Sequence, residues 1–158
     1  MQLTRYTDYA LRVLMYLGTS DDRLASIHEI AIVYNISQNH LMKVVHDLGK
    51  KGYVETLRGR NGGLRLAKKP SEINIGQVIR ETEDNFQLVK CSSCIIITKC
   101  TLISALDLAL HAFLEVLDRY TLADILAEPE GLKKIFSHSI QVTGLKQRKT
   151  LSEAKAEA

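Results

Sequence analysis

The chain has 158 residues, 46% apolar content and a formal charge of +3. That length can bury one ordinary core, and no apolar run approaches the roughly 18 residues a membrane-spanning helix needs, which argues against a membrane partner. No N-terminal apolar segment with a cleavage site is present, so a cytosolic location is expected. The charge is unevenly spread: residues 1–69 hold 11 Lys and Arg against 6 Asp and Glu, whereas residues 70–158 hold 10 against 12. The basic half is the half expected to face a polyanion.

In chain order, Tyr6, Tyr9, Ala10, Val13, Leu14 and Leu17 recur at helical spacing, with Thr4 as a cap and Gly18 as a stop. Asp8 falls near the start of this first helix, where a carboxylate interacts favourably with the helix dipole. Ser26 can cap a second helix, Ile27 to Tyr34, with Ile27, Ile30 and Ala31 inward. Asn35 tolerates the left-handed conformation that ends a helix, and Ser37 can cap a third. The third helix turns Leu41, Val44, Val45 and Leu48 inward and leaves Gln38, Asn39, His40, Lys43 and His46 or Asp47 towards solvent. Helix, tight turn and helix over residues 26–50 form a helix-turn-helix, whose second helix can read base edges in a major groove.

Gly52 ends that helix. Tyr53 to Leu57 and Leu64 to Ala67 are expected as two strands around Arg58-Gly59-Arg60-Asn61-Gly62-Gly63. Glycines at such a tip let the backbone approach a phosphate chain, and an arginine there can enter a narrow minor groove. Helix-turn-helix followed directly by a basic hairpin is more specific than either part. It predicts a double-stranded DNA partner contacted by Ser37, Gln38, Asn39, His40, Lys43, Arg58, Arg60 and Asn61. Pro70 breaks the second strand, and Asn74 can cap a short helix from Ile75 to about Thr82.

All three cysteines, Cys91, Cys94 and Cys100, lie within ten residues. In a reducing compartment an odd count of clustered thiols points to a metal, a cluster or a reactive thiol rather than a structural disulfide. Thiolates suit zinc or iron-sulfur iron, but three of them leave one position to be filled from elsewhere. Lys90 and Lys99 would offset thiolate charge, and Ile95-Ile96-Ile97 would exclude water around a bound group.

Leu102 to Tyr120 reads as the longest helix and is apolar on more than one face. One face can pack on the small domain. The other is expected against a second copy, giving a homodimer whose two wings meet a near-palindromic operator. His111 is expected to be packed, and Thr121 caps a short helix through Leu126. Residues 141–158 are polar and are expected to be disordered or weakly helical. The resulting fold class is mainly α with a small β wing, a winged helix-turn-helix domain plus a long dimerisation helix. The divisions are 1–82 for DNA binding, 83–100 for the cysteine loop, 101–127 for the dimerisation helix and the short helix after it, and 128–158 for a variable, partly disordered tail.

Met1 to Thr4, Thr7-Asp8-Tyr9-Ala10-Leu11-Arg12, Tyr34 to Val45, Val54 to Leu66, the cysteine loop and Tyr120 to Leu126 together resemble the bacterial winged-helix regulators that carry iron-sulfur clusters, the IscR/NsrR/RirA type. The resemblance covers about residues 1–127 and is closest to the nitric-oxide-sensing members, particularly at His40 to Val45. It implies a repressor with a 2Fe-2S or 4Fe-4S cluster on Cys91, Cys94 and Cys100, with Asp8 of the other protomer as the remaining ligand. Nitric oxide would be the signal that releases DNA; Glu83 and Asp84 are second candidates for the fourth ligand. Two departures stand out. Only Ser92 and Ser93 separate Cys91 from Cys94, fewer residues than is usual, and Ile103 stands where some members place a histidine ligand. The alternatives are an iron- or redox-responsive regulator, a zinc-stabilised DNA-binding module, and a dithiol enzyme using Cys91 and Cys94; the last lacks the usual βαβ scaffold.

Overall fold

The computed structural model describes residues 2–20, 23–92 and 94–156, with side chains described as far as Val142. Helix α1 (Arg5–Gly18) is the centre of the core. Thr4 caps it by accepting from Thr7 N, and its buried face carries Thr7, Ala10, Val13, Leu14, Tyr16 and Leu17. α2 (Ile27–Tyr34) begins with a capping box between Ser26 and Glu29 and ends at Asn35, whose φ of 52° is left-handed. α3 (Gln38–Lys50) buries Leu41, Val44, Val45 and Leu48, as the periodicity requires. It stops two residues before Gly52, where φ is +74°.

Strands β1 (Val54–Leu57) and β2 (Gly63–Leu66) pair antiparallel, with Val54 opposite Leu66 and Leu57 opposite Gly63. β1 starts one residue later than expected because Tyr53 packs into the core, and β2 begins one residue earlier. Leu64 also bridges Ala25 through bonds of 2.8 and 3.0 Å, so the wing is fastened to the segment ahead of α2. That close approach requires a glycine at 63: a Cβ there would lie 2.8 Å from the Ala25 carbonyl oxygen.

A single 3-10 turn, Pro70–Glu72, leads to α4 (Ile75–Thr82), which Asn74 caps by accepting from Gln77 N. After the cysteine loop come α5 (Leu102–Leu117) and α6 (Leu122–Ile125), the latter with a capping box between Thr121 and Asp124. Three devices hold α5 to α4. Arg80 grips Asp118 at 2.5 and 2.7 Å, Asn74 Nδ2 donates to Asp118 O, and Ile75 N donates to Tyr120 O.

Two expectations are corrected and one alternative is settled. The longest helix is not α5: α7 runs Pro129–Ala156 and exceeds it. The i, i+4 pair Leu132 and Phe136 faces the core, and Phe136 is seated against the rings of Tyr16 and Tyr34, with centroids at 5.2 and 5.6 Å. His111 is exposed rather than packed, because only Leu114 of α5 is buried within one protomer. Of His46 and Asp47, His46 is the one left to solvent, while Asp47 is half-buried for reasons given below.

The buried tail residue yields a direct test. Phe136→Ala should lower unfolding free energy by about 3 kcal/mol, the range for truncating a buried aromatic. Ile135→Ala next to it, on an exposed position, should stay within about 0.5 kcal/mol of wild type in denaturant titrations.

Candidate nucleic-acid interface and cysteine loop

The N-terminal end of α3 is open. Ser37 sits at the N-cap without spending its hydroxyl on a capping bond, and Gln38, Asn39, His40 and Lys43 are all exposed. Gln38 Nε2 lies 2.8 Å from His28 Nδ1 on α2. His40 faces Tyr9 of α1, with ring centroids 6.4 Å apart. Between α1 and α3, Arg5, Tyr6, Tyr9, His40, Lys43 and Val44 line a shallow hollow of about 200 Å³. The sequence reading passed over Arg5 and Met42 at this surface. Met42 is 51% exposed on the same helix, and an exposed apolar side chain inside a polar run was the available signal.

At the wing tip Arg58, Arg60 and Asn61 are exposed. Gly59 has φ +111°, and a Cβ on Gly62 would clash with the Leu57 carbonyl oxygen, so the turn at the tip requires glycine at both positions. Arg65 is committed elsewhere, to Glu55 across the hairpin at 2.8 Å.

The cysteine loop occupies residues 83–100. Cys91, Cys94 and Cys100 are free thiols of intermediate exposure, and Cys100 ends just before α5. Among the described residues, no three His, Cys, Asp or Glu side chains converge to hold a metal ion. As a donor set, three soft, partly exposed thiols on one loop fit an iron-sulfur cluster or zinc with one position left to fill. Ile95, Ile96 and Ile97 form turns with 97, 58 and 44% exposure, so within one protomer they shield nothing. Lys90 and Lys99 are exposed.

The carboxylates named with the loop have other engagements. Asp8 pairs with Arg12 at 2.8 Å and remains partly exposed. Glu83 is bonded to the start of α1: its Oε1 accepts from Thr4 N at 2.7 Å and from Thr4 Oγ1 at 3.0 Å. Asp84 is exposed. One turn into α1, the Tyr6 hydroxyl donates to Asp47 Oδ2 of α3, and Lys51 lies 3.2 Å from the same oxygen. Glu83 is thus two hydrogen-bonded steps from α3.

Tyr6 donation, reinforced by Lys51, holds the Asp47 carboxyl below the usual carboxylate range; burial and the Asp47 charge push the Tyr6 phenol upward. A lowered folded-state pKa gives stability that is complete above the unfolded carboxyl value near pH 4 and fades as pH falls through the folded value. Tyr6→Phe should therefore cost about 1 kcal/mol or less at pH 7, since solvent screens a partly exposed pair. Its deficit against wild type should shrink as pH falls below the unfolded carboxyl value in urea melts run as a pH series.

The family model Rrf2, described as an iron-dependent transcriptional regulator, matches residues 3–128. A Bacillus licheniformis protein named HTH-type transcriptional regulator NsrR is 54% identical over 143 residues, covering 87% of this chain and all of that protein. Among solved structures, IscR of T. potens superposes with TM-score 0.67 at 26% identity, covering 81% of this chain and 88% of that one. CymR, described as the global cysteine regulator of B. subtilis, superposes with TM-score 0.64 at 27% identity, covering 80% and 97%.

Proposed function

We propose, from the premise that the chain belongs to the Rrf2 family of transcriptional regulators and not to an enzyme family, that it is a cytosolic, homodimeric repressor. It holds a near-palindromic operator and releases it when nitric oxide reaches an iron-sulfur cluster on its cysteine loop. The observation that carries this reading is the attachment of the loop to the reading head. Glu83 clips the N-terminus of α1, and Tyr6 one turn later is bonded to Asp47 of α3.

The donor set supports Cys91, Cys94 and Cys100 as thiolate ligands. Asp8 of a second copy is the proposed fourth, and to serve it must let go of Arg12. When bound, the cluster supplies iron that reacts with nitric oxide, and a carboxylate is the hard, exchangeable donor on such iron. The rest belongs to the chain. An ordered loop keeps Glu83 on Thr4 and α1 in place under α3, so the exposed set Ser37, Gln38, Asn39, His40 and Lys43 is held at one spacing in each protomer. A disordered loop frees Glu83, and a coupling of about 1–3 kcal/mol is enough to change operator occupancy.

The second copy is supported by the outer face of α5. Leu102, Leu108 and Val116 are at least half exposed there, an apolar stripe a lone soluble chain rarely leaves uncovered. The wing residues Arg58, Arg60 and Asn61 then supply phosphate and minor-groove contacts on both half-sites.

Chain purified without oxygen should contain iron and acid-labile sulfide and bind its operator, and stoichiometric nitric oxide should release the DNA. Cys94→Ser should abolish iron uptake and the nitric-oxide response together. An iron-free, sulfide-free wild-type protein that binds its operator fully and ignores nitric oxide would refute the reading. Zinc in that protein would favour a constitutive module instead, and release on iron chelation alone would favour an iron sensor. Arg60→Ala should weaken binding about equally across sequences and reduce the slope of log affinity against log salt by about 0.9 per lost phosphate contact.

A further inference from the structure

One contact at the reading surface is not explained by folding: the hydrogen bond between His28 on α2 and Gln38, the first residue of α3, at 2.8 Å. Both side chains are exposed, so neither is needed in the core. Their backbones are nonetheless fixed. The Ser26–Glu29 capping box sets the start of α2, and left-handed Asn35 sets the turn that brings α3 back beside it. Two polar side chains ten residues apart are thereby held in contact across the helix-turn-helix, where the second helix meets base edges.

We infer that His28 is a positioning residue that locks the Gln38 amide in one orientation and so makes it select adenine over guanine. The inference rests on the operator-binding reading above. The Gln38 amino group has two hydrogens and its carbonyl oxygen two lone pairs. Donating one hydrogen to the bare Nδ1 of a neutral imidazole protonated on Nε2 leaves one N–H and Oε1 for DNA. Adenine needs that pair in the major groove: an acceptor for its N6 amino group and a donor for N7. Guanine offers two acceptors, O6 and N7, and would need both amide hydrogens. With one spent on His28, the carbonyl oxygen would oppose an acceptor, so guanine is rejected as well as unrewarded. Without His28 the amide can turn over freely and present either arrangement.

The open end of α3 is consistent with this role. Among the described residues the Gln38 side chain makes no hydrogen bond other than the one to His28. His28 needs to touch no base. It acts through Gln38, and a direct phosphate contact by His28 would have a different signature, a uniform loss of affinity on every sequence.

The test uses the full chain and duplex DNA. Sites are first selected from a randomised duplex pool with the wild-type protein, and the position read by Gln38 is the one whose base preference Gln38→Ala erases. Affinities are then measured by fluorescence anisotropy for duplexes carrying each base there. His28→Leu should cut the adenine-to-guanine ratio at that position at least about fivefold, the lower range for one bidentate contact, and leave other positions unchanged. His28→Asn, which keeps an acceptor near the place of Nδ1, should restore most of the ratio. The double variant His28→Leu, Gln38→Ala should discriminate no worse than Gln38→Ala alone. An unchanged ratio in His28→Leu, additive effects in the double variant, equal losses on all sequences, or no position that depends on Gln38 would each overturn the assignment. If the wild-type chain selects no duplex, operator binding itself falls and this assignment with it, a failure visible before any substitution is made. Both positions are exposed, so thermal melts of all variants should coincide with wild type.

Discussion

Five elements of this fold are packed on one helix. The buried face of α1, Ala10, Val13, Leu14 and Leu17, meets α2, α3, β2, α4 and α6, so α3, the wing and the connection to α5 share a single hydrophobic support. Interiors are close-packed and stiff, so a displacement of α1 is felt by all of them. The two polar attachments of α1, Thr4 to Glu83 and Tyr6 to Asp47, lie at its N-terminal end. That is the end nearest the cysteine loop, and it is where a small local change would have the longest reach.

The DNA-binding half was largely legible because each of its elements has a strong local signal. The 3.6-residue stripe of Leu41, Val44, Val45 and Leu48, the left-handed Asn35, and the glycine-rich tip at 59–63 specify helix, turn and wing before any tertiary contact is considered. The seating of α7 left little trace in the sequence because a single aromatic, Phe136, carries most of it. The Tyr16 and Tyr34 rings that receive Phe136 are more than a hundred positions away in sequence. Partners at that separation leave no mark on local periodicity. The same holds for the Tyr6–Asp47 bond, whose partners are 41 residues apart, and for the Glu83 clip, whose donor lies 79 residues earlier.

Two kinds of polar contact divide the work. Arg80 with Asp118, and Asn74 with the Asp118 carbonyl, tie α4 to the end of α5 by three hydrogen bonds. The contacts of the cysteine loop are sparse by comparison. Phe86 packs partly against the core, while the isoleucine turns remain in solvent. A stiff frame beside a weakly held segment is the arrangement in which local order can change at little cost to the whole.

Among the described residues between α4 and α5, none is a fully buried apolar side chain, and beyond Phe86 none packs against the core. The spacing of thiols along that stretch is consequently free of the packing constraint that governs the rest of the chain. A loop relieved of that burden can lengthen or shorten without a penalty in folding, so the two-serine interval between Cys91 and Cys94 is a change natural selection could try while the scaffold stayed intact.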